Sequence, residues 1–331
     1  MRRAPQTITG YLAQHGVDSS MIGGKQARGM RKSVEITGGR KYLLRRVIAE
    51  GGMGVIYEAE DIDCRRVVAL KVLSRKPGRS AKDVLRFIAE AQVTSQLEHP
   101  NIVPIHELGM DSRGRVFYTM KYIRGRTLAG VLAEIRNGHR PTIEQFPLSR
   151  LLNVFQKICD AVAFAHARNV IHRDIKPDNV MLGDYGEVVL MDWGLARTST
   201  ESDAAERNPA MVSTVRNEAA GAVLKTLSDH VLGSPGFMAP EQIHHKTAVN
   251  TRADIYGLGA ILYNILALNP TVSGKEIFPV LTRIVTGHFP SPASFNKAGR
   301  RKKGPAFPHC PDGLIPPILS DIAMKALATD P

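Results

Sequence analysis

Cysteine, tryptophan and long apolar runs are all scarce in this chain. Its three cysteines (Cys64, Cys159 and Cys310) lie far apart and form no C-x-x-C pair. An odd count at such spacing gives no disulfide framework and no zinc pattern, so incidental thiols in a reducing, cytoplasmic setting are expected. The longest greasy stretch, Leu258 to Leu268, is interrupted by Tyr263 and Asn264. It falls short of the roughly 18 residues a bilayer span needs. Met1-Arg2-Arg3 is followed by no apolar core of a secretory signal. No membrane segment is expected in these residues, and an anchor beyond Pro331 is left open. Aromatic residues make up only 6% and do not interleave with the basic clusters, so nucleic acid is not an expected partner despite a formal charge of +13. A solvated basic surface is the simpler reading.

What is present suits a globular protein. With 43% hydrophobic and 23% charged residues over 331 positions, the chain can bury two cores and is not broadly disordered. Residues 1–39 hold several glycines and no periodicity, and are expected to be a tail or linker. Short β-like runs follow, Tyr42 to Ile48, Val55 to Ala59 and Val67 to Leu73, the pattern of an antiparallel meander. Ser80 and Asp83 match a capping box that opens a helix to about Leu97. Ile102 to Ile105 and Val116 to Tyr122 read as two further strands. After Gly125 the pattern turns helical. Leu151, Phe155, Ile158 and Val162 share one face of a helix from Leu148 to Ala167. A second helix, greasy nearly all round and therefore central, starts near Thr251. Thr286 to Pro317, rich in Pro, Gly, Lys and Arg, reads as an irregular surface insertion. The expected fold class is α+β, with two lobes. Residues 40–124 form a small antiparallel β-rich lobe with one helix, and residues 125–331 a larger, mainly helical lobe.

Four clusters carry chemistry. Ile48-Ala49-Glu50-Gly51-Gly52-Met53-Gly54-Val55-Ile56 places glycines in a hairpin, where bare backbone N–H groups can approach phosphate oxygens; a plain tight turn is the alternative. Val68-Ala69-Leu70-Lys71 sets one lysine on an apolar strand, where its charge needs a counter-ion such as Glu90. The alternative is an edge lysine with its head in water. His172-Arg173-Asp174-Ile175-Lys176-Pro177-Asp178-Asn179 gathers a carboxylate, a cation and an amide oxygen in one loop. Asp192-Trp193-Gly194 ends a strand-like run, and could equally be a simple turn.

In this order, together with Ala239-Pro240-Glu241, these motifs resemble the signature set of the eukaryotic-type protein kinases, most closely the bacterial Ser/Thr members. The resemblance runs from about Lys41 to Pro331. It implies a protein kinase fold binding ATP and Mg2+ and acting on protein substrates. By it, Gly51, Gly52 and Gly54 cover the phosphates, while Ile56, Ala69 and Met181 sandwich the adenine. Met120 resembles the gatekeeper, with Lys121 to Ile123 as the hinge. Lys71 holds phosphates and pairs with Glu90. Asn179 and Asp192 offer oxygen ligands to magnesium. Asp174 receives the substrate hydroxyl and Lys176 neutralises the transferring group. The Asp-x-Lys-x-x-Asn spacing resembles Ser/Thr rather than Tyr specificity.

The resemblance also implies regulation. Arg173 is expected to hold a phosphate on the activation segment, with Thr226 and Ser228 as autophosphorylation candidates, which would require self-association. Asp254 matches an aspartate that ties the central helix to the catalytic loop; Thr251 and Asp254 also match a capping box. The chain departs from the family at Ala49 (for glycine), Trp193 (for phenylalanine), Ser234 (for threonine) and Phe237 (for tyrosine). None of these removes a ligand or a charge. The family's arginine partner for Glu241 would lie beyond Pro331, so a longer parent protein or a marginally stable fragment is expected.

Overall fold

Alternating Val, Ala and Leu in Arg66–Leu73 make the centre of the main sheet. This computed structural model describes residues 33–36, 39–74, 81–193, 197–198, 235–243, 249–274, 276–298, 300–301, 304–305 and 307–330. The described residues fall into two compact units. One holds those up to Glu98 and Ile102–Ile123; the other holds His99–Asn101 and those from Arg124 onward.

Among the described residues the first unit is a six-stranded antiparallel sheet with strands β1 (Ser33–Ile36), β2 (Gly39–Glu50), β3 (Gly54–Asp61), β4 (Arg66–Leu73), β5 (Ile105–Met110) and β6 (Val116–Lys121), and one helix α1 (Ala81–Gln96). The strand order is β1-β2-β3-β4-β6-β5. Tyr42, Ala59, Val68, Leu70, Val72 and Phe117 form one buried cluster on the sheet. α1 packs on β5 and β6 and buries Phe87, Ile88 and Ala91. Two expectations need correction. The segment expected to be tail up to residue 39 contains β1, which pairs with β2 from Ser33↔Leu43 to Ile36↔Gly39. The strand expected at Ile102 to Ile105 instead runs Ile105–Met110. Ile102 and Val103 are buried ahead of Pro104, which has no N–H to give a ladder. Ser80 of the expected capping box lies outside the described residues.

The second unit is mainly helical. A small sheet joins β7 (Gly125–Thr127), β9 (Val180–Gly183) and β10 (Val188–Leu190), and β8 (Val170–Ile171) pairs with β11 (Arg197–Thr198). Its helices include α2 (Leu128–Arg136), α3 (Arg140–Gln145), α4 (Leu148–His166), α5 (Pro240–Ile243), α6 (Arg252–Ala267), α7 (Ile277–Thr286), α8 (Phe295–Ala298) and α9 (Pro317–Ala326). α6 is buried along almost its whole length, with α4 and α9 packed on it. α4 buries Leu151, Val154, Ile158, Ala161 and Val162, while Phe155 is only half-buried. The stretch expected to be a surface insertion is partly core. Phe307, His309, Cys310 and Ile315 are buried, and His309 Nε2 donates to the Ile265 carbonyl of α6 at 2.8 Å. Composition hid this, because a few apolar anchors suffice to bury an otherwise polar loop. Among the described residues no helix is long and apolar enough to cross a membrane.

Candidate active site

Within the first unit, the glycine cluster is the β2–β3 hairpin. Ala49 pairs with Ile56 and Glu50 with Val55, and Gly51 N–H closes the turn on Gly54 O at 2.9 Å. Ser74 N–H reaches Met53 O at 3.3 Å. Ala49 lies in extended β2 and is not among the residues with positive φ, so the methyl group that replaces a glycine costs no backbone strain. Ile48 beside it is exposed. The glycines differ in role. A Cβ on Gly54 would lie 2.3 Å from Val72 O, whereas one on Gly51 or Gly52 meets nothing within 4 Å. Gly54 lets β3 approach β4; Gly51 and Gly52 are exposed, with room for a side chain.

Lys71 lies opposite Ile56 on one side and Tyr118 on the other. Its Nζ is 2.5 Å from Glu90 Oε1 of α1, with side chains only 11% and 2% exposed. Tyr118 donates to the same oxygen at 2.6 Å. The lysine is therefore held by a desolvated ion pair rather than snorkelling to water. Ala69 pairs with Met120 in the neighbouring strand, and both are buried. Beyond Met120 the chain leaves the sheet through Lys121, whose N–H donates to Pro104 O at 3.0 Å, and buried Ile123. Tyr122, between them, accepts from Arg46 Nη2 at 3.0 Å.

The second unit holds the acidic loop. His172 and Arg173 both donate their backbone N–H to Asp254 of α6, each at 2.8 Å, and His166 Nε2 lies 2.7 Å from the same carboxylate. Thr251 has helical backbone angles and makes no side-chain cap bond, so the capping box expected alongside does not form, whereas the expected tie from Asp254 to the loop does. α6 can come this close because of Gly257, where a Cβ would sit 2.9 Å from Ile175 Cβ. His172 is fully buried. Asp174 N–H points at its Nδ1 at 3.2 Å, leaving Nε2 as the donor to Met191 O at 3.1 Å. The Trp193 ring lies 4.5 Å from the His172 ring. Its buried Nε1 finds no hydrogen-bond partner.

Asp174 is 27% exposed, and Lys176 Nζ lies 2.7 Å from its Oδ2. Asn179 Nδ2 donates to Asp174 O at 2.8 Å and to Oδ2 at 3.1 Å. That orientation turns the amide oxygen Oδ1 away from the aspartate. Asn179 O accepts from Met191 N–H at 2.9 Å, which ties the loop to the residue before Asp192. Asp192 is exposed in the left-handed region, φ 63°. Its carboxylate and the Asn179 amide oxygen are hard donors. Among the described residues no group of three or more His, Cys, Asp or Glu forms a metal cage. One carboxylate and one amide oxygen suit magnesium arriving with phosphates, since that ion keeps waters and takes few protein ligands.

Met181, on β9, is half-buried opposite Thr127 and Val189. Thr226, Ser228, Gly194, Gly233 and Ser234 lie outside the described residues. Sequence reasoning missed Gln242. Its Nε2 donates to Arg173 O at 2.8 Å and its Oε1 accepts from Ala239 N–H at 2.9 Å. A glutamine three residues after Ala239, at a helix start, was the available signal. Among the described thiols, burial pushes Cys159 up to about 11 and Cys310 up to about 12. Such thiols are poor nucleophiles.

Comparison with known proteins bears on the whole arrangement. Residues 42–296 match the family model described as protein kinase domain. The serine/threonine-protein kinase PknD of Chlamydia felis is 34% identical over 297 residues, covering 88% of this chain and 29% of the relative. The PknD of Chlamydia trachomatis serovar D is 35% identical over 307 residues, covering 88% of this chain and 30% of the relative. The chain thus spans about a third or less of the length of these relatives. A match over residues 42–296, most of the chain, leads to one conclusion: the chain belongs to the protein kinase domain family.

Proposed function

We propose that this chain transfers the γ-phosphoryl group of ATP to serine and threonine hydroxyls of protein substrates. The observation that carries the reading is the Asp174 loop, where a carboxylate, Lys176 and Asn179 converge within hydrogen-bond distance. Such a loop has everything phosphoryl transfer asks of protein side chains, because the transition state is loose and catalysis is mainly positioning and charge stabilisation. The substrate hydroxyl hydrogen-bonds Asp174 Oδ2. An ordinary aspartate cannot ionise serine outright, so it orients the oxygen toward the γ-phosphorus and takes the proton late, as the new P–O bond forms and the bond to the β-phosphate oxygen breaks. Lys176, already on Oδ2, follows the negative charge onto the transferring group. Lys71, fixed by Glu90, binds the α- and β-phosphates as a point charge. The glycine hairpin, Gly51 to Gly54, covers the phosphates with its backbone. Asn179 Oδ1 and Asp192 would hold magnesium, which supplies charge neutralisation across the phosphate oxygens when bound.

Regulation by autophosphorylation at Thr226 and Ser228, through transient self-association, belongs to the same proposal. It is motivated by Arg173, whose guanidinium sits beside the loop with Nη2 on Val249 O at 3.2 Å. Phosphopeptide mapping of active protein tests it; unmodified Thr226 and Ser228 would remove it.

Radiolabelled ATP with magnesium tests the main reading. Label on protein with this chain, reduced about a thousandfold in Asp174→Asn, is expected. Label on a small metabolite instead would make it a small-molecule kinase, and no label from either protein would make it a silent scaffold.

A further inference from the structure

Gln242 stands at the third position of α5, with Ala239 just before the helix. Helix starts leave N–H groups without carbonyl partners, and Glu or Gln at this position can reach back to the residue preceding the helix. Gln242 Oε1 does so at Ala239 N–H. A glutamate would serve that half equally well. The other half decides the residue type: Nε2 donates to Arg173 O, and an ionised carboxylate has no proton to give. Both ends of the amide are in use, across two segments 69 residues apart in sequence.

Arg173 needs holding. Its φ of 67° is a left-handed region that strains a non-glycine residue. Asp254 holds its N–H and Val249 its guanidinium. The peptide plane that follows, Arg173 C=O and Asp174 N–H, carries the Asp174 Cα. Its nitrogen has a long contact to His172 Nδ1, 3.2 Å; its oxygen has the shorter bond to Gln242.

We propose that Gln242 is a positioning residue for the transfer reaction: it fixes the peptide plane between Arg173 and Asp174 and so sets the direction of the Asp174 carboxylate. The inference rests on the kinase reading for what Asp174 does, but not for the link itself. Because the same side chain closes the start of α5, the Ala239-Pro240-Glu241 segment and the acidic loop are tied through one amide.

Three variants test this: Gln242→Glu, Gln242→Leu and, in parallel, Asp174→Asn. Hydrogen exchange of the 172–176 peptide, without nucleotide, is expected to speed up severalfold in both Gln242 variants. Their kcat is expected to fall about ten- to a hundredfold, with KM for ATP within about twofold, as displacement of a reacting group predicts. Gln242→Glu should recover part of its loss, relative to the parent protein, as pH falls from about 8 to about 5.5, because a protonated carboxyl regains the donor. Gln242→Leu should not. If the leucine variant fails to fold, the acid recovery of Gln242→Glu still decides. Unchanged loop exchange, unchanged kcat, or a loss in Gln242→Glu that is the same at every pH overturns the proposal. Wild-type transfer by Asp174→Asn would instead bring down the kinase reading, with the exchange measurement still deciding the link.

Discussion

The glycine hairpin and the Asp174 loop are both irregular segments, yet they are built in opposite ways. The hairpin is local. Two paired strands and a short turn define it, and a Cβ on Gly51 or Gly52 would meet nothing within 4 Å. The loop has bonds of its own among Asp174, Lys176 and Asn179 but also leans on distant segments. It is held by Asp254, Gln242 and Val249, all more than 60 residues away. The hairpin turn is exposed and open beside Gly51 and Gly52, whereas the loop is bonded both within itself and to distant segments.

Substitutions can break this contrast. The largest effect is expected from Asp254→Ala. It strands two buried N–H groups and His166, and denaturant unfolding should show a loss of about 3–5 kcal/mol; a loss below about 1 kcal/mol would mean the loop holds itself. Lys71→Met comes next. It should lower transfer by about a hundredfold or more, and it leaves Glu90 with Tyr118 but without its cation. Undiminished transfer would remove Lys71 from the mechanism.

Within the hairpin, Gly54→Ala should cost about 1–3 kcal/mol because its methyl meets Val72 O. Gly52→Ala should stay within about 0.5 kcal/mol in the same melt. Equal costs would contradict the division of roles between the glycines.

The smallest effect concerns acid. Burial pushes His309 below the ordinary histidine range, and Nδ1 has no partner. The unfolded chain therefore binds a proton that the folded chain refuses. Stability present above about pH 6.5 should be lost on acidification, at no more than about 1.4 kcal/mol per pH unit. His309→Gln should flatten that acid limb.

Much of the site was legible because its residues advertise themselves. A lysine on an apolar strand needs a counter-ion, and Glu90 on the first helix is that partner. Strands β3, β4 and β6 follow from short β-rich runs bounded by turn residues, and the central helix from its all-round apolar pattern. The tie from Asp254 to the acidic loop was legible through the resemblance, and the fold makes it at the His172 and Arg173 N–H groups; the cap that Thr251 offered beside it goes unused. Two things were not legible. The burial of Phe307, His309 and Cys310 was masked by the polar residues around them. Gln242 carries no charge and no conspicuous pattern, so nothing local announced its second bond.

The order of motifs along the chain, and the residue types that can hold phosphate or accept a proton, were settled by the sequence alone, since they depend on chemistry carried by individual side chains. Which backbone atoms those side chains spend themselves on was decided only in three dimensions. Gln242 could have stopped at Ala239. It also satisfies the Arg173 carbonyl of the Asp174 loop, because a C=O turned from water without a partner is costly.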